Sequence, residues 1–506
     1  MAAVLFGNSL HPLDPSEDKQ EALEQLGSLA PEAALREITG LVSSVAYADS
    51  LPLDQRIKLV RQLEDAALRH SIPCSREYLT SPHRGEDGRA EEFRLWRTNR
   101  EFWAQLAAAY NSCFSAYLED LKEDALHKVE LTRLMVRLLR GYGTRLKWDQ
   151  FRYGPYSEAL WQTIGRAYMV AVANRVDRRL VSAYPGRGRE STVEQEYLKI
   201  LAFQASSMDS LLPLEIEIAD KLIVHFLPLF AFGAERGEEH SYWIDPSQRR
   251  GPARLVRQPP ESEAVRYFGA GRALSGLLDL QQVLERGAPL PSDLDLGRAY
   301  SARVVLPVVR HLADCWAQQQ PRREFDRYKV SSRLIVISGL ARIHQRLTQK
   351  PAGAESGADG AEWVVDNVSR SGMAVHLPAT GDGANSPVQI GTLLGLQPEG
   401  GESWLVGVVR RVARENDALA SIGVETLTKK AVPLDLGDLG RHADALLLDT
   451  PDSGETVRVV LPTGAMAGMT PVSVAVDDKS VRLVPVELIE RGVAFDLARY
   501  RVEAAG

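Results

Sequence analysis

The sequence predicts a multidomain α+β protein: an N-terminal all-α helical bundle or array, then an antiparallel β-barrel, then a small C-terminal β extension. Three observations predict it. The 506 residues are too many for one core and suggest two to four domains. Apolar residues recur three and four apart as far as about residue 230, with charges between them. After Pro321 the pattern switches to short alternating or β-branched runs separated by Gly, Pro, Asn and Asp.

Helical spacing covers Glu21 to Leu29, Pro52 to His70, Ala90 to Leu121 and Lys122 to Leu146, the last carrying Leu131, Leu134, Met135, Leu138 and Leu139. Pro155 and Ser157 open a further helix bearing Leu160, Trp161, Ile164, Tyr168 and Val172. Glu194 to Phe203 and Leu214 to Phe232 follow. β-branched runs are scarce and no fixed period repeats, so residues 1–245 are expected to form a bundle or irregular array rather than a solenoid. Pro246 to Glu263 is rich in Pro, Arg, Gln and Ser and is expected to be a loop or crossing. With helices at about Ser275 to Arg286 and Leu296 to Gln319, it makes a joining region over 246–319.

The barrel is expected over residues 320–432. Its strands are Ser332 to Ser338, Glu362 to Asp366, Met373 to Leu377, Thr392 to Gln397, Trp404 to Val412 and Ser421 to Leu427. A helical piece, Leu340 to Thr348, and two polar loops, Pro351 to Gly360 and Ala379 to Pro387, interrupt them. Residues 433–506 hold a last β-rich stretch: Thr456 to Leu461, Pro471 to Val476, Val481 to Leu488 and Val493 to Val502. It is long enough for a small separate sheet.

Bulk composition narrows the function. With 44% hydrophobic and 25% charged residues the chain has ordinary globular balance. Its net charge of −7 argues against a DNA or RNA partner. Cys74, Cys113 and Cys315 are far apart and outside any CxxC spacing, which fits a reducing cytosol without disulfides or a zinc site. The N-terminus lacks a basic n-region, and the most apolar stretch, Leu222 to Phe232, is about half of a bilayer helix. A cytoplasmic protein without membrane insertion is expected.

No catalytic motif stands out. Neither GxSxG nor a P-loop occurs. Phe268 to Gly276 has GxGxxxxG spacing with no preceding β-run, and is read as a loop entering a helix. Glu238, Glu239, His240 and Asp245 carry metal-ligand chemistry but lack HExxH spacing, and are read as a solvated loop. The expectation is a non-enzyme with no cofactor and no metal. Trp96, Trp103, Tyr110, Trp161 and Tyr168 fall at helical spacings, which suits core packing or a partner groove.

Two segments carry more specific chemistry. Arg323 and Arg327 form an RxxxR pair with Arg322 beside it, at the junction of a helix and the first barrel strand. The same spacing recurs at Arg133/Arg137, Arg175/Arg179, Arg250/Arg254, Arg342/Arg346 and Arg410/Arg414, where it reads as a solvated helix face or plain surface. Asn367-x-Ser369-x-x-Gly372 lies between two β-like runs. It is either a plain β-turn, with Gly at positive φ, or a ligand-gripping bend. A guanidinium can engage the O6 and N7 of guanine with parallel hydrogen bonds or stack on the base. The Asn amide and Ser hydroxyl can take the remaining polar edge, and Gly allows close backbone approach.

Together, and in this order ahead of Val406-Gly-Val-Val-Arg-Arg and Ile422-Gly-Val-Glu-Thr-Leu, the segments resemble the PilZ domain, the bacterial receptor module for cyclic di-GMP. The resemblance covers about residues 320–430, roughly a fifth of the chain. It implies a receptor that binds cyclic di-GMP through Arg322, Arg323, Arg327, Asn367, Ser369 and Gly372. It also implies a relay of occupancy to a protein partner held by the helical region, with surface attachment, biofilm formation, type IV pilus function or flagellar motility as output. Gly339 to Gly360 makes the gap between the motifs long for that family, and Asp326 could pair with an arginine in competition with the ligand. The alternative is a helical interaction scaffold whose barrel has lost ligand binding.

Overall fold

The computed structural model describes residues 26–504 apart from 49–50, 81–84, 120–124, 156, 185–189, 295, 297–299, 320–324, 349–359, 379–387, 402, 417–418, 436–443, 452–454, 469–470, 477–478 and 493. The chain divides into two compact units: Met1–Arg152 with Tyr156–Pro321, and Tyr153–Pro155 with Arg322–Gly506.

The first unit is mainly helical, as expected. α1 (Pro31–Ala46), α2 (Leu53–Thr80), α3 (Gly85–Glu119) and α4 (Ala125–Gln150) bury Ile38, Leu63, Phe102, Tyr110, Leu134 and Leu138 in one core. α1 was not expected, because its Val-Ser-Ser-Val end blurs the helical period. Of the helix expected over Glu21 to Leu29, residues before Leu26 lie outside the described ones. α5 (Glu158–Ala173) starts at its Ser157 cap, whose hydroxyl accepts from the Ala159 N–H at 3.1 Å. α6 (Val193–Ala205) opens with a reciprocal Thr192–Gln195 capping box.

α7 (Pro213–Phe226) ends six residues before the expected Phe232, because Pro228 cannot extend it and the chain tightens into a 3₁₀ turn at Leu227–Leu229. There the expectation fails further. β1 (Ala231–Gly233), β2 (Tyr242–Ile244), β3 (Ala253–Arg254) and β4 (Arg266–Gly269) form a four-stranded antiparallel sheet in the order β1-β4-β2-β3. Strands of two to four residues are too short to show alternation. α8 (Arg272–Glu285) and α9 (Ala302–Trp316) complete the unit.

Two buried charge clusters tie these helices together. Glu64 on α2 accepts from the hydroxyls of Tyr110 and Tyr184 and pairs with Arg137 at 2.5 Å. Lys147 on α4 meets Glu217 at 2.8 Å and Asp220 at 2.9 Å, both on α7, and Lys199 on α6 reaches Asp220 at 3.3 Å.

The second unit begins with a closed antiparallel barrel. Its strands are β5 (Tyr328–Ser338), β6 (Ala361–Val368), β7 (Gly372–Pro378), β8 (Leu393–Pro398), β9 (Leu405–Asn416) and β10 (Leu419–Thr428), ordered β10-β7-β6-β5-β8-β9. Alternation along β10 turns Ala420, Ile422 and Val424 inward. The helical piece forms as expected, as α10 (Leu340–Thr348). The expected loops at Pro351 to Gly360 and Ala379 to Pro387 fall almost wholly outside the described residues.

The C-terminal stretch is a six-stranded sheet of β11 (Val432–Asp435), β12 (Asp444–Leu447), β13 (Thr456–Pro462), β14 (Val472–Val476), β15 (Lys479–Arg491) and β16 (Phe495–Ala504), ordered β11-β12-β13-β16-β15-β14. It does not stand apart from the barrel. Leu446, Val460, Phe495 and Leu497 of the sheet share one apolar core with Leu340 and Ile343 of α10 and with Leu393, Val406 and Val408 of the barrel. Arg410 on β9 reinforces the joint, bonding Glu425 at 2.6 Å and Glu490 at 2.5 Å.

Candidate functional site

The bend between β6 and β7 is built by its own sequence. Both the N–H and the hydroxyl of Ser369 donate to the Gly372 carbonyl, at 2.7 and 3.1 Å. The Ser371 carbonyl accepts from the Thr426 N–H on β10 at 2.9 Å. Gly372 is required by contact, not by a left-handed φ: a Cβ there would lie 2.3 Å from the Val424 carbonyl oxygen. The positive φ expected of a plain turn is not seen at Gly372, and the close approach it makes is to the protein's own strand β10.

Strand register brings the first motif to the second. β5 and β6 pair antiparallel with Tyr328 opposite Val368 and Lys329 opposite Asn367. Directly opposed residues share a face with Cβ atoms about 5 Å apart, so Lys329 stands beside Asn367. Arg327 immediately precedes this strand, next to the level of Ser369. Just upstream, the Phe325 ring lies under the Arg370 guanidinium, whose carbon is 5.3 Å from the ring centroid. Arg327, Asn367, Ser369 and Gly372 are therefore gathered at one end of the barrel. Arg322 and Arg323 lie outside the described residues.

The polar groups are unevenly satisfied. The Asn367 amide N–H donates to Asp366 at 2.6 Å, while its carbonyl oxygen is buried without a hydrogen-bond partner. An unpaired buried acceptor costs about 1–3 kcal/mol, and a ligand N–H would relieve it. Guanine offers such donors on its N1/N2 edge. Asp326 is exposed and makes no ion pair among the described residues, so the expected competition with an arginine is not seen there. Lys329 is exposed with no carboxylate partner among the described residues. Sequence reading missed it, because only the register reveals what it faces.

The other candidates dissolve into packing. A β-run does precede the glycine-rich segment, contrary to expectation: β4 leads through Gly271, at φ +52°, into α8. The space at these glycines is already taken by protein. A Cβ on Gly269 would lie 2.0 Å from the Glu239 carbonyl, and one on Gly276 would lie 3.0 Å from the Phe226 ring. His240 accepts the Gly237 N–H at 2.8 Å, and Asp245 accepts from the N–H and hydroxyl of Ser247, so both serve local turns.

His311 and Cys315 approach to 3.7 Å, yet His311 Nε2 also bonds the Ser206 carbonyl at 2.7 Å. Burial pushes this thiol up to about 11 and the imidazole down, so both are neutral near pH 7 and suit packing rather than nucleophilic attack. Among the described residues no group of three or more His, Cys, Asp or Glu is arranged to hold a metal. No described helix is long and apolar enough to cross a membrane.

Comparison with known proteins adds an independent finding in the other unit. Residues 18–236 match the family model of the N-terminal domain of the cyclic-di-GMP receptor FimW. Apart from Tyr153–Pro155 the match lies within the helical unit; it covers less than half of the chain and leaves the barrel untouched. No curated protein matches the chain. The helical unit is thus similar to the N-terminal domain of a cyclic-di-GMP receptor.

Proposed function

We propose that the protein is a cyclic di-GMP receptor without catalytic activity, binding its ligand at the β5 entrance and the β6–β7 bend of a PilZ-like barrel. One observation carries the reading: the match to a cyclic-di-GMP receptor falls in residues 18–236, a part of the chain that contributed nothing to the motif argument. Two separate portions of one chain therefore point to the same ligand.

In this reading Arg323 and Arg327 engage guanine bases through bidentate hydrogen bonds or stacking, with Arg322 assisting. The orphaned Asn367 carbonyl accepts from a guanine N–H, Ser369 holds the bend, and Gly372 lets it close against β10. Lys329 faces the ligand's phosphates, which carry about two negative charges at neutral pH. Binding reorders the segment that enters β5 at Arg327, which follows α9 in sequence. That reordering is the step by which occupancy reaches the helical unit and its protein partner in the cytoplasm. The output is surface attachment or control of pilus- or flagellum-driven motility.

Calorimetric titration of the full chain with cyclic di-GMP, against linear and mononucleotide controls, tests this. Binding in the micromolar range or tighter is expected, abolished by Arg323→Ala or Arg327→Ala and weakened by Ser369→Ala. Absence of binding to folded wild-type protein refutes the reading and favours a helical scaffold with an inert barrel. Pull-down of a partner that ignores added nucleotide would point the same way.

A further inference from the structure

The bend carries a cation outside the NxSxxG pattern. Arg370 is exposed and has no carboxylate partner among the described residues; its recorded contact is with Phe325, itself partly buried. That contact joins the arginine segment to the bend, since Phe325 lies two residues before Arg327 and Arg370 directly follows Ser369. An arginine in this situation is half-engaged. An aromatic ring holds the guanidinium on one side, and the remainder is open to water.

Guanidinium is weakly hydrated and stacks on flat π faces, which an ammonium does less well. A purine base is such a face. The buried, unpartnered Asn367 carbonyl lies three residues away on the same bend, so a base drawn to it would arrive next to Arg370.

Resting on the receptor reading, we propose that Arg370 is a further ligand-contacting residue, stacking on a guanine of cyclic di-GMP. Phe325 is its positioning residue, holding the guanidinium in place before the ligand arrives. The ring, the cation and the base then form a three-layer stack that ties the upstream segment to the bend on binding. Arg327 and Asn367 recognise base edges, whereas Arg370 contributes attraction that is indifferent to those edges.

Arg370→Lys keeps the charge and removes the planar surface, and Phe325→Leu keeps apolar bulk and removes the ring. Calorimetry on the full chain should show about five- to tenfold weaker cyclic di-GMP binding for Arg370→Lys, and about threefold weaker binding for Phe325→Leu. The double variant should lose no more than Arg370→Lys alone, because the ring acts only through the cation. The circular-dichroism band acquired by bound guanine should lose amplitude in Arg370→Lys, a change that loss of barrel stability would not mimic at saturating ligand. Wild-type affinity in Arg370→Lys overturns the proposal while leaving the receptor reading intact, as does a Phe325→Leu effect that persists undiminished in the Arg370→Lys background. No binding by the wild-type chain overturns both.

Discussion

Gly372→Ala adds a single methyl group at a place where backbone has already closed in. The new carbon would stand 2.3 Å from the Val424 carbonyl oxygen and 3.3 Å from the Glu425 Cα. Even close carbon–oxygen contacts sit at about 3.3 Å, so the bend must lift by about 1 Å. The obstacle cannot swing aside as a side chain would, because β10 is hydrogen-bonded to β7 on one edge and β9 on the other. Overpacking costs about 1–3 kcal/mol, and a fixed backbone obstacle belongs in the upper part of that range. At about 1.4 kcal/mol per decade, 2–3 kcal/mol makes local opening about 30–150 times more frequent.

Two hydrogen bonds report that opening, from Ser369 N–H to the Gly372 carbonyl and from Thr426 N–H to the Ser371 carbonyl. Hydrogen-exchange mass spectrometry should show both amides exchanging faster by that factor, with α2 to α4 unchanged. Cyclic di-GMP affinity should fall in parallel. Unchanged exchange at Ser369 and Thr426 would show that β10 does not hold the bend, and the account of Gly372 would fail.

Lys329→Gln should weaken cyclic di-GMP binding by about two- to fivefold at low salt, the worth of one exposed ion contact. The difference should shrink in 1 M salt, where the Debye length is about 3 Å; a salt-independent loss would exclude a phosphate contact. Arg137→Met strands the Glu64 carboxylate in the helical core and should cost about 3–5 kcal/mol, lowering the melting temperature of that unit. Adding Glu64→Leu should recover part of this, and no recovery would mean the arginine stem matters more than its charge. Burial pushes the Asp220 carboxyl up, but the ammonium groups of Lys147 and Lys199 outweigh burial and hold it well below the usual range. The pair therefore stabilises the fold fully above the unfolded carboxylate value of about 3.9, and the contribution fades as pH falls toward the folded value. Asp220→Asn should lower the melting temperature at pH 7, and the gap should narrow progressively as pH falls below about 3.9 toward the folded value; a pH-independent gap would contradict the charge argument.

What the sequence could reveal depended on how local the cause was. α10 was legible at both ends, because Leu340 and Ile343 alternate with Arg342 and Arg346 at helical spacing. The six barrel strands were legible from alternation between turn residues. β1 to β4 were not, since runs of two to four residues carry no period and their pairing is fixed by contacts up to 38 residues apart. α1 escaped because its β-branched end competes with its helical start.

The bend residues Asn367, Ser369 and Gly372 were readable as one unit, because turn chemistry is local. The reason Gly372 must be glycine was not, since it comes from Val424 on another strand. Lys329 and the Phe325–Arg370 contact were likewise invisible, because each joins residues about 40 positions apart through strand register.

The apolar core shared by the barrel, α10 and the C-terminal sheet has an evolutionary consequence. A chain ending after β10 would hand Val406, Val408, Leu427 and Ile343 to water, at about 1.5–3 kcal/mol for each large side chain. This barrel therefore cannot be shuffled between proteins as a free-standing cassette. Any recombination that transplants it must carry the last 70 or so residues along, or supply another hydrophobic lid.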